Sequence, residues 1–205
     1  CGEAVEELSN AMQGYSMRLD SRRARAEKRK KEQENLELDL RQKTARVNML
    51  EDMEKNMEGY TGSVRAVMRE AKRGNLRGIH GALSQLISVP EQYATAIETA
   101  FGAALQNIVT DGEGDAKRAI QFLKETKGGR ATFLPLSAVR GRTLEERGLA
   151  QCEGFVAVAS DLVKCDAKYE AVVKAQVGRT AVAEDMDCAI AIARKFSYHF
   201  RIVTL

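Results

Sequence analysis

Residues 78–134 read GIHGALSQLISVPEQYATAIETAFGAALQNIVTDGEGDAKRAIQFLKETKGGRATFL, and most of this stretch returns in shortened form at residues 154–205 as GFVAVASDLVKCDAKYEAVVKAQVGRTAVAEDMDCAIAIARKFSYHFRIVTL. The two copies stay in step without a gap through Gly102 and Gly178. The matched pairs include Ser84 with Ser160, Leu86 with Leu162, Ile87 with Val163, Tyr93 with Tyr169, Ile97 with Val173 and, after two short deletions, Arg130 with Arg201. A repeat of this length is too long for a solenoid unit, so it predicts two similar lobes.

Within each copy, apolar runs and helix-start signals alternate in the same order, which is typical of an α/β fold. In the first copy we expect extended segments at 79–89, 105–110 and 131–134, with helices opened by Pro90 and by Asp111 and Asp115. Pro135 is expected to end the last of these strands. In the second copy we expect strands at 156–159, 180–183 and 201–205, and helices at 167–175 and 187–196.

The segment before the repeat predicts a coiled-coil arm. Residues 1–58 contain no proline, and alternate steps of three and four residues trace one apolar seam. A 3.5-residue apolar repeat is the coiled-coil pattern, and one such helix needs a second helix as its partner. The seam residues are Val5, Leu8, Met12, Tyr15, Leu19, Leu36, Leu40, Val47, Leu50 and Met57.

The middle of this seam is polar, because Arg22, Arg29 and Gln33 occupy core positions in a charge-dense run. Two interpretations are open. Long side chains can lie along a loosened seam with their charged ends in water. The run can also form a basic track for nucleic acid. The interspersed residues Glu27 and Glu32 favour the first interpretation.

Residues 59–77 predict a helical junction with a basic side, formed by Arg65, Arg69, Lys72, Arg73 and the following Arg77. Cations near a helix C-terminus are favoured by the helix dipole, which gives a structural explanation. The alternative is a patch that contacts the phosphates of DNA. The predicted organisation is therefore an arm (1–58), a junction (59–77), lobe I (78–136), a polar linker (137–153) and lobe II (154–205).

The sequence contains no signature of an active site. It has neither a GxGxxG turn nor a GxxxxGK[ST] phosphate loop. His80 and His199 have no metal ligands at a suitable spacing, and we interpret both as strand or surface residues. Asp111 and Asp185 follow matching strands, where open α/β sheets bind ligands, but helix capping also explains both. We expect no enzymatic activity, cofactor or metal in this chain; the alternative is a small-molecule-binding or enzymatic α/β domain carried on a coiled coil.

Composition limits the location and the partners. No run approaches the roughly 20 apolar residues that a membrane span requires, so we expect a cytoplasmic protein without a membrane partner. The four cysteines, Cys1, Cys152, Cys165 and Cys188, form no CxxC pair and are expected to be ordinary thiols in a reducing compartment. The chain opens on Cys1 and ends within an apolar strand, which predicts that it was cut from a longer protein.

The repeat and the arm together resemble the hinge region of bacterial SMC (structural maintenance of chromosomes) proteins. Residues 75–205 carry the specific likeness, and the arm matches more loosely. The motifs are ALQNIV at 104–109, GRATFLPL at 129–136, VASDLV at 158–163 and RIVTL at 201–205.

This resemblance implies a hinge that dimerises, with the first subdomain of each copy against the second subdomain of the other. It implies a parent ATPase that uses ATP and magnesium to condense and segregate chromosomes in the nucleoid. The implied partners are a second hinge, a returning coiled-coil helix and weakly bound DNA, with kleisin subunits only at the distant ATPase heads. Family hinges also carry a glycine-rich segment after the RIVTL position, at the dimer interface. We therefore expect weak dimerisation of a chain that ends at Leu205.

Overall fold

The computed structural model describes residues 2–55 and 57–205, without the side chains of residues 2–7, 54 and 55. The chain divides into two compact units, Cys1–Glu58 and Gly59–Leu205. The first unit is built on one long helix, and the second combines helices with short strands. The predicted fold class, two α/β lobes preceded by a long helix, is confirmed.

Helix α1 spans Gly2–Lys55, which is 54 residues, or about 80 Å at 1.5 Å per residue. Its exposed surface carries ion pairs one turn apart, which support an isolated helix weakly. These pairs are Lys28 with Glu32, Lys30 with Glu34, and Asp39 with Lys43. The seam prediction is wrong at its last member. The helix ends at Lys55, and Met57 lies in a turn with a φ of 51°, outside the helical register.

Helix α2 spans Gly62–Lys72 and has one buried and one polar side. The buried side consists of Ser63, Val64, Val67 and Met68. The Ser63 hydroxyl donates a hydrogen bond of 2.6 Å to the carbonyl oxygen of Arg130. This bond ties the helix to the segment that precedes the last strand of lobe I.

Lobe I contains four strands, three of which form a sheet, and three α-helices. The strands are β1 (Ile79–Ala82), β2 (Ile87–Ser88), β3 (Ile108–Thr110) and β4 (Phe133–Pro135). The helices are α3 (Leu83–Leu86), α4 (Ala94–Phe101) and α5 (Glu113–Glu125). The sheet order is β1-β3-β4; β1 is antiparallel to β3, and β4 is parallel to it.

Two sequence predictions for lobe I need correction. The strand expected at 105–110 begins only at Ile108, because residues 102–106 form a 3₁₀ helix. Helix α5 is capped at Gly112 rather than at Asp111: Asp115 accepts a hydrogen bond of 3.1 Å from the Gly112 N–H. Asp111 therefore has another role, described below.

Pro135 is the last residue of β4, as the sequence predicted. The Leu136 amide donates a hydrogen bond to the carbonyl of Thr110. The backbone N–H and C=O groups of alternate residues in this strand therefore face β3, and those of the intervening residues face away from it. Residue 135 is one of the outward-facing positions, and a proline there removes no hydrogen bond from the sheet. Proline is compatible with an edge strand for this reason.

Lobe II repeats this arrangement. Its strands are β5 (Phe155–Val158), β6 (Lys164–Cys165), β7 (Thr180–Ala183) and β8 (Arg201–Thr204), and its helices are α6 (Glu170–Val177) and α7 (Met186–Lys195). The sheet order is β5-β7-β8, again with one antiparallel and one parallel pairing. Even the register irregularity recurs, between Ile79 and Gly81 in β1 and between Phe155 and Ala157 in β5.

The two lobes share one core. Strands β2 and β6 pair in an antiparallel ribbon, with Ile87 opposite Cys165. The buried cluster beneath takes side chains from both copies: Leu83, Ala96, Ile97, Ala100, Phe101, Val109 and Leu134 from lobe I, and Ala159, Tyr169, Val172, Val173, Val177, Val182 and Val203 from lobe II. Because the apolar area buried between them is the main stabilising term, the lobes are expected to unfold together.

The linker at 137–153 is packed against lobe II and is not a loose surface segment. Leu149 is buried with Ala183 and Ile192, and the Leu144 amide donates a 2.8 Å hydrogen bond to Gly178. The carbonyl of Arg142 lies in direct contact with Gly178, in the space that a Cβ would need. The linker is therefore an integral part of lobe II.

Candidate interaction surfaces

The basic residues predicted for DNA binding lie on or just after α2, opposite its buried side. Arg69 follows Arg65 by four residues, and Lys72 and Arg73 follow Arg69 by three and four residues. This spacing places the four side chains on one face of a helix. Arg65 is half-buried, and the others, with Arg77, are exposed. The buried residues Val64 and Val67 fix the opposite face in the lobe. The structure thus presents these cations together to solvent.

One member of this basic face is neutralised by a neighbour. Arg73 donates a 2.7 Å hydrogen bond to Glu70, whose other oxygen accepts a 2.7 Å bond from Asn75. The bond from Asn75, followed by that from Arg73, lowers the pKa of the Glu70 carboxyl below its ordinary value of 4.5. Within the described part of the chain, no ion pair involves Arg65, Arg69, Lys72 or Arg77.

The second candidate surface consists of the outer edges of β4 and β8. Each strand is paired on one side only among the described residues. The Leu205 amide donates to Ala183, so Ile202 and Thr204 are the outward-facing residues of β8. In β4 the outward positions are Phe133 and Pro135. Unpaired strand edges are ready to pair with a further strand, which makes them natural dimerisation surfaces.

The third candidate surface is the apolar row along α1. Leu8, Met12, Tyr15, Leu19, Leu36, Leu40, Val47 and Leu50 are all exposed, from 52% for Val47 to 71% for Met12. The side chain of Val5, also predicted for this seam, lies outside the described residues. Exposed large apolar side chains aligned on one helix mark an interaction site, and here they form two groups on either side of the polar middle of the seam. The row agrees with the need for a second helix that the repeat predicts.

The structure places the two aspartates of the alternative small-molecule hypothesis in structural roles. Asp185 caps α7 by accepting a 2.8 Å hydrogen bond from the Cys188 amide, which lowers the pKa of its carboxyl. A carboxylate oxygen of Asp111 lies within hydrogen-bond distance of Nε2 of His80, at 2.7 Å. The other ring nitrogen of His80, Nδ1, lies 2.9 Å from the Tyr169 hydroxyl. His80 therefore joins the two lobes.

A groove of about 460 Å³ beside the β2–β6 ribbon is lined by residues such as Gln85, Lys164 and Tyr169, without Asp111 or Asp185. Among the residues that the structure describes, no group of His, Cys, Asp and Glu is arranged to hold a metal ion. Nor is any described helix long and apolar enough to cross a membrane.

The cysteines have ordinary thiol environments. Cys152, Cys165 and Cys188 are unpaired and half-buried, and Cys1 lies outside the described residues. Burial raises the pKa of the Cys165 thiol, with a smaller contribution from Glu170. The nearby Asp185 raises the pKa of the Cys188 thiol by its hydrogen bond. Raised pKa values keep these thiols protonated and less reactive.

Two polar contacts between the lobes were missed by the sequence analysis. One is the His80 contact with Tyr169. The other is made by Arg201, whose guanidinium donates to the carbonyls of Ala100 at 2.9 Å and Thr99 at 2.7 Å. The repeat alignment could have placed β1 beside β3, and so His80 near Asp111. It could not have indicated Arg201, because the matched Arg130 makes no such contact.

The fold and these surfaces define a known class of protein. Residues 76–193 match the family model described as the flexible hinge domain of SMC proteins. The chain belongs to this family.

The similar curated proteins are chromosome partition proteins. The chain is 40% identical over 178 residues to the chromosome partition protein Smc of Desulfitobacterium hafniense (strain Y51), covering 85% of this chain and 15% of that protein. It is 41% identical over 169 residues to the same-named protein of Bacillus subtilis (strain 168), covering 81% and 14%. The chain thus spans about one seventh of the length of these relatives.

Solved structures show the same fold. The SMC hinge domain of Geobacillus stearothermophilus, an asymmetric dimer, superposes with a TM-score of 0.76 at 42% identity, covering 80% of this chain and 66% of that one. The SMC hinge domain of Pyrococcus furiosus gives a TM-score of 0.59 at 32% identity, covering 73% and 75%. These likenesses confirm the resemblance inferred from the repeat.

Proposed function

We propose that this chain is the dimerisation hinge, with part of its coiled-coil arm, of an SMC protein that partitions chromosomes. The observation that carries the proposal is an unpaired strand edge at the same end of each three-stranded sheet, β4 in lobe I and β8 in lobe II. A two-fold dimer places the same surface patches of both copies in contact. Such a dimer can pair β4 of each copy with β8 of the other, forming two equivalent junctions.

The exposed row on α1 supports the second part of the proposal. Its occupant is a returning helix of the same parent protein, which would bury the apolar residues from Leu8 to Leu50. The parent is proposed to be a nucleoid-associated ATPase that binds ATP and magnesium, and kleisin subunits, at heads outside this chain. The length that the chain covers in its relatives supports this proposal.

Light scattering tests the hinge proposal. The protein extended beyond Leu205 through the glycine-rich segment and a return helix is expected to have the mass of a dimer. The chain that ends at Leu205 is expected to dimerise weakly, since obligate interfaces often exceed about 2,000 Å² and part of the surface is expected to follow Leu205. A monomer mass for the extended protein would contradict the proposal.

A second function, weak DNA binding without sequence preference, is favoured by the exposed basic face of α2. Four cations of this face, Arg65, Arg69, Lys72 and Arg77, carry no ion pair within the described residues. Neutralising about four phosphates should give a slope of about −3 to −4 in a plot of log affinity against log salt concentration. Arg73 is expected to contribute least, because Glu70 already pairs with it.

The test replaces Arg65, Arg69, Lys72, Arg73 and Arg77 together by alanine and measures DNA affinity by fluorescence anisotropy at several salt concentrations. The variant is expected to lose most of the affinity and of the salt dependence. A charge-matched control replaces five exposed cations elsewhere, namely Lys117, Lys124, Lys127, Arg147 and Arg179. Equal losses in both variants would show that net charge, and not this face, determines binding.

A further inference from the structure

Arg201 connects the outer strand of lobe II to a helix of lobe I. It is the first residue of β8, and its guanidinium donates to the carbonyls of Thr99 and Ala100 in the last turn of α4. The carbonyls of a last helical turn have no partner within the helix, and the helix dipole makes this end attractive to a cation. Arg201 therefore satisfies two acceptors with two parallel donors.

The α4 helix is firmly held in the shared core. Ala96, Ile97, Ala100 and Phe101 are buried there, together with Val203 of β8. A bidentate, charged hydrogen bond has a fixed geometry. The Arg201 side chain thus adds a directional polar link between β8 and α4 to the apolar contact that Val203 makes in the shared core.

The repeat-matched residue shows that this contact is not a general property of the fold. Arg130 precedes β4 as Arg201 begins β8, but its side chain is exposed and makes no hydrogen bond or ion pair within the described residues. The end of α6, which Arg130 would have reached, is instead covered by the linker through Leu144 and Arg142. Among the residues that the structure describes, an arginine ties the outer strand to the other lobe in lobe II and not in lobe I.

We propose that Arg201 is a positioning residue for hinge pairing: it sets the outer edge of β8 so that this edge can pair with β4 of a second copy. The inference rests on the proposed dimerisation through β4 and β8. Loss of the guanidinium frees β8 to shift relative to lobe I, and a two-fold dimer then fails at both junctions at once. Since each dimer contains two copies of the contact, the change in the free energy of dimerisation is doubled, and the fold-change in the dissociation constant is squared.

The experiment measures the dimer dissociation constant by mass photometry and analytical ultracentrifugation for the extended protein. Arg201→Ala is expected to weaken the dimer by about 10-fold or more, as two charge-assisted hydrogen bonds are lost in each copy. Arg201→Lys keeps the charge but not the fork of donors, and should show an intermediate loss. Arg130→Ala is the matched control and should stay within about twofold of the original protein.

A second control separates positioning from stability. Val67→Ala removes buried volume beneath α2, far in sequence from β8 and outside the shared core cluster. It should lower the urea midpoint of unfolding without changing the dimer dissociation constant under native conditions. If Arg201→Ala weakens dimerisation no more than Val67→Ala does, the inference is overturned.

The outcomes distinguish the inference from the function on which it rests. A dimeric original protein with an equally dimeric Arg201→Ala variant contradicts only the role of Arg201. A monomeric original protein contradicts the proposed hinge dimer itself. Hydrogen exchange adds a readout in the monomer, in which the amides of β8 are expected to exchange faster in Arg201→Ala and unchanged in Arg130→Ala.

Discussion

In lobe I the end of helix α4 receives the guanidinium of Arg201, whereas in lobe II the matching end of α6 receives the backbone of the linker at Arg142 and Leu144. The outer faces also differ. Helix α2 packs on lobe I with Val64 and Val67 buried, and the linker packs on lobe II with Leu149 buried. The two lobes have the same fold but pack against different segments of the chain, so each lobe presents a distinct surface to a partner.

The difference indicates which parts of the repeat are general and which are specific to one lobe. Strand order, pairing direction and the irregularity in the first strand recur in both copies. The groups that bind the ends of α4 and α6 do not recur, and neither do the segments that pack on the outside of the two lobes. Because the proposed two-fold dimer joins unlike lobes, these non-repeated features are the ones that can determine orientation.

The largest effect is expected from the linker, which packs against lobe II. Leu149→Ala removes a side chain that is 4% exposed, and should lower the free energy of unfolding by about 2–5 kcal/mol. Val67→Ala is the comparable change in α2, which packs against lobe I. It should lower the free energy of unfolding by roughly 1–3 kcal/mol, because less volume is removed. Urea denaturation measures both. A cost below about 0.5 kcal/mol for Leu149→Ala would mean that the linker contributes little to lobe II.

The matched glycines Gly102 and Gly178 sharpen the comparison. Gly178→Ala places a Cβ against the Arg142 carbonyl, and such overpacking should cost about 1–3 kcal/mol. Gly102 has open space around it but a φ of 52°, so alanine there should cost about 1–2 kcal/mol through backbone strain.

Hydrogen exchange separates the two causes. The Leu144 amide, which donates to Gly178, should lose protection in Gly178→Ala and keep it in Gly102→Ala. Equal exchange in the two variants would show that the linker does not depend on contact with Gly178.

The smallest effect is expected from Glu70, in the last turn of α2. Its pKa is lowered in the folded state by Asn75 and Arg73, so its contribution to stability is present above pH 4.5 and is lost as the pH falls through the folded pKa. Glu70→Gln should remove this part of the pH dependence between pH 7 and pH 3, measured by urea denaturation. Glu98→Gln, on the exposed side of α4, is the control; an identical pH profile for both variants would contradict the assignment.

The sequence predicted the repeated topology because apolar periodicity and helix-start signals are local. It also predicted the cap at Asp185, where the hydrogen bond spans three residues. It missed the roles of Asp111 and Arg201. The cause is the same in both cases: the partner of Asp111 lies 31 residues away, and that of Arg201 lies about 100 residues away. Only the three-dimensional structure fixes these relations.

The central claim, that β4 of one copy pairs with β8 of another, can be tested by mixing two variants of the extended protein. Phe133→Pro and Thr204→Pro each remove one outward amide, from β4 and from β8 respectively, with Phe133→Ala and Thr204→Ala as controls that keep the amide. Thermal melts first establish that each variant is folded.

Each proline variant alone should be monomeric by light scattering, because both junctions of its dimer are damaged. An equal mixture of the two should form dimers containing one copy of each, since one junction then joins an intact β4 to an intact β8. A mixture that remains monomeric, while both alanine controls dimerise, would contradict the pairing of unlike lobes.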